Sequence, residues 1–372
     1  MESATIARCV GILRCPITGD PLSILSLEEL AKSNQLLATL SVIHRDGTPA
    51  RTPLTFALGT PHRSEIYRVE DSIVWLLADL ALVNASAIQT AAIAAEKKIV
   101  QSFYDDFGWL KAETGLFNDT AQFTDTRPCA QAYQRYCNAR IGRELSGGKY
   151  LLDVASGSIP HAEYLEFSRH YDVRICVDFS IRALREARAK LGDAGLYLLG
   201  DITRLPLASG VVDDVISLHT VYHVPRAEQT AAIDELVRVA KPGGRAVIVY
   251  VWASSVAMNA SFALRRALGR IKHALRPKGG AVSPGPSSSS ATPPLYFSPQ
   301  NHDWFAQEIA GKHGAMLKVW SAVSMLFQAH FFSDHGLGRL TLALVKKIED
   351  CFPWLAGRYG QYPMFVIDKP SS

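Results

Sequence analysis

The sequence predicts an α/β fold with a doubly wound, mostly parallel sheet, joined to a small N-terminal unit and a helical cap. Three observations carry this. Short apolar runs at 150–154, 173–177 and 196–199 each end in small or acidic residues and alternate with stretches of helical period. Two more runs, in VVDDVISLH and GGRAVIVYVW, continue the alternation, the second behind a Lys-Pro-Gly-Gly turn. MLKVWSAV and YPMFVIDK then supply a sixth and a seventh strand.

Composition sets the outer bounds. At 372 residues the chain exceeds the usual domain of about 100–200 residues, and 48% hydrophobic content supports a sizeable core. The net charge of +4 and the lack of a long Lys/Arg block argue for a small-molecule partner rather than nucleic acid. Six scattered cysteines without a C-x-x-C pair argue against a disulfide framework and fit a reducing cytoplasm. MESATIARC has no basic region followed by an apolar core, so no secretory leader is expected. The oligomeric state stays open.

Residues 1–80 read as a small unit of short strands, with LRCPITGDPLSIL followed by the alternating SVIHRD and EIYRVEDSIVWLL. The apolar stretch 73–95 is interrupted by Asp79, Asn84 and Gln89, each costly in lipid, so strand, turn and helix start are expected there and a membrane is not.

Residues 81–145 are expected to form the cap. A helix should run through 85–108, and the aromatic-rich segment after it offers Tyr104, Trp109, Phe123, Arg127 and Tyr133 as chamber residues. An arginine can engage a carboxylate and tyrosines can donate hydrogen bonds. The same aromatics could equally be core, and Arg127 a surface residue.

Residues 146–372 hold the main sheet. After the strand at 150–154 come Ala155, Ser156, Gly157 and Ser158, with Pro160 expected in the first turn of a helix reaching about residue 170. Small residues let a backbone approach a nucleoside, and Asp178, at the tip of the second strand, can accept from two ribose hydroxyls. His219, Tyr222 and His223 follow the fourth strand, at the edge where open α/β sheets bind ligands. A histidine there can serve as general base, with His219 the first choice. A basic helix is expected at 258–275, its charges read as a solvated face, and the Pro/Gly/Ser-rich 276–294 should be a mobile insert.

LLDVASGSIP resembles the D/E-x-G-x-G-x-G motif of class I S-adenosylmethionine (SAM) dependent methyltransferases, with Ala155 and Ile159 in place of its first and last glycines. The later strand motifs resemble the same family in order and spacing. The resemblance implies a seven-stranded Rossmann-like methyltransferase sheet whose last two strands pair antiparallel. It implies that Ala155, Ser156 and Gly157 face the methionine part of SAM and that Asp178 holds its ribose. Phe179 would pack on the adenine, Asp201 would accept from its amino group beside Ile202, and Leu218 would complete the pocket. Asp153 would orient the loop, or the amino group through water.

The N-terminal Leu13, Arg14, Cys15 and Pro16 resemble the zinc-ribbon-like domain fused ahead of some methyltransferases, but Thr18 replaces its next cysteine. The shape is implied and a metal is not.

The expected function is methyl transfer from SAM to an O, N, S or C nucleophile of an aromatic or amphipathic metabolite, in a chamber lined from 103–136 and 296–354. Two alternatives stand beside it. One is an RNA methyltransferase, favoured by the ribbon-like start. The other is a non-catalytic regulatory or scaffold protein of the same fold, favoured by Ile159 and the degenerate ribbon.

Overall fold

A computed structural model describes residues 4–87, 95–112, 115–123, 125–256 and 293–371, with 259, 263 and 266 between them. Apart from 259, 263 and 266, the helix expected at 258–275 lies outside the described residues, as does nearly all of the insert at 276–294.

The N-terminal region supplies strands β1 (Ser23–Ile24), β2 (Val42–His44), β3 (Ala57–Gly59), β4 (Ile66–Glu70), β5 (Ile73–Trp75) and β6 (Leu82–Asn84). The main region supplies β7 (Gly148–Val154), β8 (Tyr171–Asp178), β9 (Gly195–Leu199), β10 (Val212–Leu218), β11 (Ala240–Val249), β12 (Met316–Ser321) and β13 (Tyr362–Asp368). The seven strands of the main region run in the order β9-β8-β7-β10-β11-β13-β12. The first five are parallel, and β13 lies antiparallel between β11 and β12. The chain winds outward from β7 through β8 and β9, then returns across β7 to β10. The carboxyl ends of β7 and β10 therefore flank the point where the winding reverses, the usual ligand crevice of such sheets.

Side chains alternate across the sheet. Leu152, Val154 and Val215 enter one buried cluster, Leu151 and Ile216 the other. Both faces are covered, which is why these strands read as nearly continuous apolar runs.

The N-terminal region is joined to this sheet edge. β5 pairs parallel with β9, Val74 opposite Leu198, and β4 pairs antiparallel with β5. Ile6, Leu13 and Tyr67 share the core cluster of Leu152 and Leu198. β6, just past residue 80, pairs with β2 and β4. Cys15, at the ribbon-like turn, is buried with its thiol 3.0 Å from the Tyr67 hydroxyl.

The helix expected from Pro160 to about residue 170 is one turn, Glu163–Glu166. Arg174, on the neighbouring β8, donates to the Tyr164 carbonyl at 2.5 Å, the acceptor that an α-helix would offer to Ser168. Ser168 turns instead to Leu165, three residues back. The next helix, Ile181–Leu191, forms as its sequence asks: Ser180 caps it through the Ala183 amide, and Gly192 leaves it at φ 56°.

Candidate active site

β7 ends in a turn that keeps the left-handed geometry of a glycine loop with only one glycine in it. Ala155, Gly157 and Ile159 have φ of 56°, 55° and 53°. The non-glycine residues carry a backbone cost of roughly 1–2 kcal/mol each. Ile159 is buried among Leu151, Tyr164 and Leu184 and does not line the cavity described below. Its side chain fills the core rather than the ligand space.

Asp178, at the tip of β8, holds this turn. Its Oδ2 accepts from the Gly157 amide and its Oδ1 from the Ser180 amide, both at 2.8 Å. Burial pushes its carboxyl up to about 7, against those two amides, with Asp105 and Asp153 adding to the rise.

A cavity of about 650 Å³ opens over the carboxyl ends of β7, β8 and β10, within the usual size range of small-molecule sites. Its floor includes Asp153, Ala155, Ser156, Gly157, Asp178, Phe179, Asp201, Ile202 and Leu218, the nine residues expected to hold the cofactor. His219, Tyr222 and His223 line it too, as do Tyr104, Trp109 and Tyr133 from the cap. Residues as far apart in sequence as Tyr104 and His223 thus meet at one site.

Several of these groups are already engaged. Asp201 accepts from Lys97 Nζ at 2.8 Å through Oδ2 and from the Thr203 amide and hydroxyl through Oδ1. Lys97 also pairs with Glu228 at 2.6 Å. An adenine amino group would have to share this carboxylate with Lys97. Asp153 is gripped by Arg174 at 2.5 Å and 3.1 Å, both bonds ending on Oδ2, in a buried pair inside the sheet.

Two of the expected substrate residues are already engaged with protein groups. Arg127 does not line the cavity; its guanidinium forks onto Asp125 and donates to the Gln328 and Phe332 carbonyls at 2.8 Å. It ties the cap to the segment before β13. Tyr133 does line the wall, but its hydroxyl is spent on Ser321 and Glu349. Phe123 ends the short helix Asn118–Phe123, and its side chain lies outside the described residues. Tyr104 stacks on Trp109 with ring centroids 5.4 Å apart.

The histidines are neutral. Burial drives His219 down to about 3, helped by His161 and His223, and drives His223 down to about 4. His219 sits at φ 61°, with its ring edge-on to Trp320 at 4.5 Å. His223 Nδ1 lies 2.7 Å from the Tyr296 carbonyl, so Nδ1 carries the proton and Nε2 is an acceptor. Burial raises the Tyr222 phenol, which stays protonated.

Sequence reasoning missed Lys97, Asp119 and His161, all on the cavity wall. Asp119 has no hydrogen-bonding or ionic partner among the described residues, and burial lifts its carboxyl to about 6. Next to it, the Thr120 hydroxyl is buried without a hydrogen-bond partner among the described residues, as is the Trp109 indole N–H. No motif marks these three positions. Among the described residues, no group of three His, Cys, Asp or Glu side chains is placed to hold a metal ion.

Residues 152–248 match a family model described as a methyltransferase domain. A demethylmenaquinone methyltransferase of Mycobacterium tuberculosis is 32% identical over 142 residues, 37% of this chain and 56% of the relative. The chain thus spans little more than half the length of that relative. A tRNA (carboxymethyluridine(34)-5-O)-methyltransferase of Macaca fascicularis is 42% identical over 60 residues, 16% of this chain and 9% of the relative. Among solved structures, a Haemonchus contortus phosphoethanolamine N-methyltransferase aligns over 94% of this chain and 77% of its own, at 13% identity and a TM-score of 0.45.

Proposed function

We propose that this chain, whose residues 152–248 form a class I SAM-dependent methyltransferase domain, transfers the methyl group of SAM to a small molecule with an aromatic or amphipathic body. One observation carries the reading: a single cavity joins the nucleoside-type floor of Gly157 and Asp178 to an aromatic wall of Tyr104, Trp109, Trp320 and Tyr362. The residues present fit the cofactor. Ala155, Ser156 and Gly157 line the cavity with small residues, which let a ligand approach the backbone, and the buried Asp178 carboxylate suits ribose hydroxyls.

When bound, SAM supplies an activated methyl group on a sulfonium. The chain's residues then have to bind, align and exclude water, and alignment alone can lower a barrier by about 7–11 kcal/mol. Ala155, Ser156 and Gly157 present backbone, Asp178 takes the ribose, and Phe179, Ile202 and Leu218 supply apolar contact. Asp201 with Lys97 forms the polar end of that pocket. His219, held neutral by burial, accepts a hydrogen bond from the nucleophile and orients it, with His223 and Tyr222 beside it. Asp119, with a carboxyl near neutrality, takes the proton.

The substrate named in the Mycobacterium relative, a demethylated menaquinone, is a ring of the kind this wall favours, and it is the first acceptor to try. Incubation with labelled SAM and a panel of ring-bearing acceptors tests the reading. Label should enter one acceptor class; label in RNA alone would replace a small-molecule substrate with a nucleic acid.

A further inference from the structure

Helix Gly336–Cys351 turns an apolar side to solvent. Leu337, Leu340, Leu344 and Ile348 recur at three- and four-residue steps and are 80%, 67%, 58% and 47% exposed. A stripe at this spacing ordinarily faces a core. Here the inward side belongs to Leu342, Val345 and the buried Glu349 instead. Past the helix end the stripe continues through Phe352, Trp354 and Leu355, all exposed. Scattered exposed leucines need no explanation, but a contiguous run of this kind does.

The surrounding charge selects the occupant. Arg339 and Lys347 are exposed and form no ion pair among the described residues, and the partly exposed Arg358 packs its guanidinium on Trp354 and Tyr359. Of the acids between 333 and 359, Glu349 and Asp350 are paired with Arg140, which leaves Asp334 ahead of the helix. A two-fold dimer across the stripe would gather the same uncompensated cations from both copies. An anionic surface would neutralise them. Aromatic and leucine side chains on one face, with Lys347 at its margin and Arg339 on the flank beyond, suit the headgroup boundary of a bilayer.

We propose that helix Gly336–Cys351 and the turn after it dock the protein on an anionic lipid bilayer, lying in the interface. No helix among the described residues is long and apolar enough to cross a membrane. The docking face backs the cavity wall, since Glu349 accepts from the Tyr133 hydroxyl and, at 2.7 Å, from the Ala322 amide. The proposal stands independently of methyl transfer.

Flotation of the full chain with phosphatidylcholine vesicles, with and without phosphatidylglycerol, tests it alongside light scattering of the protein alone. The expected result is binding at least about tenfold stronger to the anionic vesicles, weakened by salt. The double variant Leu340→Glu/Leu344→Glu should lose it while keeping the wild-type melting temperature. Arg339→Gln/Lys347→Gln, which leaves the apolar stripe intact, should weaken it as well. No flotation, or flotation of Leu340→Glu/Leu344→Glu at the wild-type level, overturns the proposal. So does a solution dimer that this variant dissociates, which would make a second copy the occupant.

Discussion

The Trp109 indole lies so close over Gly157 that a Cβ there would stand 2.6 Å from its ring, and Gly157 itself has φ 55°. Both facts forbid a side chain at the centre of the turn. Gly157→Ala should cost about 1–2 kcal/mol of stability and raise the dissociation constant for SAM at least about tenfold. Thermal melts and calorimetry read the two effects separately. Unchanged SAM affinity would take the Gly157 turn out of the cofactor site.

Ile159 sits at a similar φ of 53° but points into the core. Ile159→Gly relieves roughly 1–2 kcal/mol of backbone cost and removes a buried side chain worth about 2–5 kcal/mol, for a net loss of stability. SAM affinity should stay within about twofold of wild type. A large gain in affinity would mean that Ile159 obstructs the site after all.

Arg127 ties the cap to the Gln328 and Phe332 carbonyls. Arg127→Ala should lower stability by about 1–3 kcal/mol through those lost charge-assisted bonds, and Arg127→Lys should not restore it fully. A raised KM with an unchanged melting temperature would point to a direct substrate contact instead.

The two raised carboxyls separate by pH. Asp178 has a folded value of about 7, above its ordinary 3.8, so the stability it contributes is full below 3.8 and is lost as pH rises through 7. SAM binding that needs the carboxylate runs the other way, strengthening as pH rises through about 7, and Asp178→Asn should flatten that dependence. Asp119, raised to about 6, should give kcat a limb that rises through 6 and disappears in Asp119→Asn. His219, near 3, should add no limb between pH 5 and 8. A kcat limb that persists in Asp119→Asn and vanishes in His219→Asn would reverse the two roles.

The seven main strands were legible because each carries a short apolar run, and β7, β8 and β9 end at small or acidic residues. The loop residues Ala155 to Gly157 and Asp178 were legible because their chemistry follows from lying at strand ends. What stayed hidden depends on contacts from afar. The short helix at Glu163–Glu166 is set by Arg174 taking one carbonyl from another element. Arg127 looked free because nothing local shows that the Gln328 and Phe332 carbonyls would meet it. Lys97 and Asp119 carry no motif, and only the folded cap brings them to the cavity. The exposed side of Gly336–Cys351 has the period of a buried one, so the pattern alone does not say which way it faces.

The central claim is that the Gly157–Asp178 turn holds SAM, and calorimetric titration of wild type and Asp178→Ala tests it most directly. Wild type should bind SAM and its demethylated product with roughly micromolar affinity and ignore NAD, while the variant stays folded by circular dichroism and loses at least about tenfold in affinity. Wild-type affinity in the variant, or binding of NAD in place of SAM, would contradict the account.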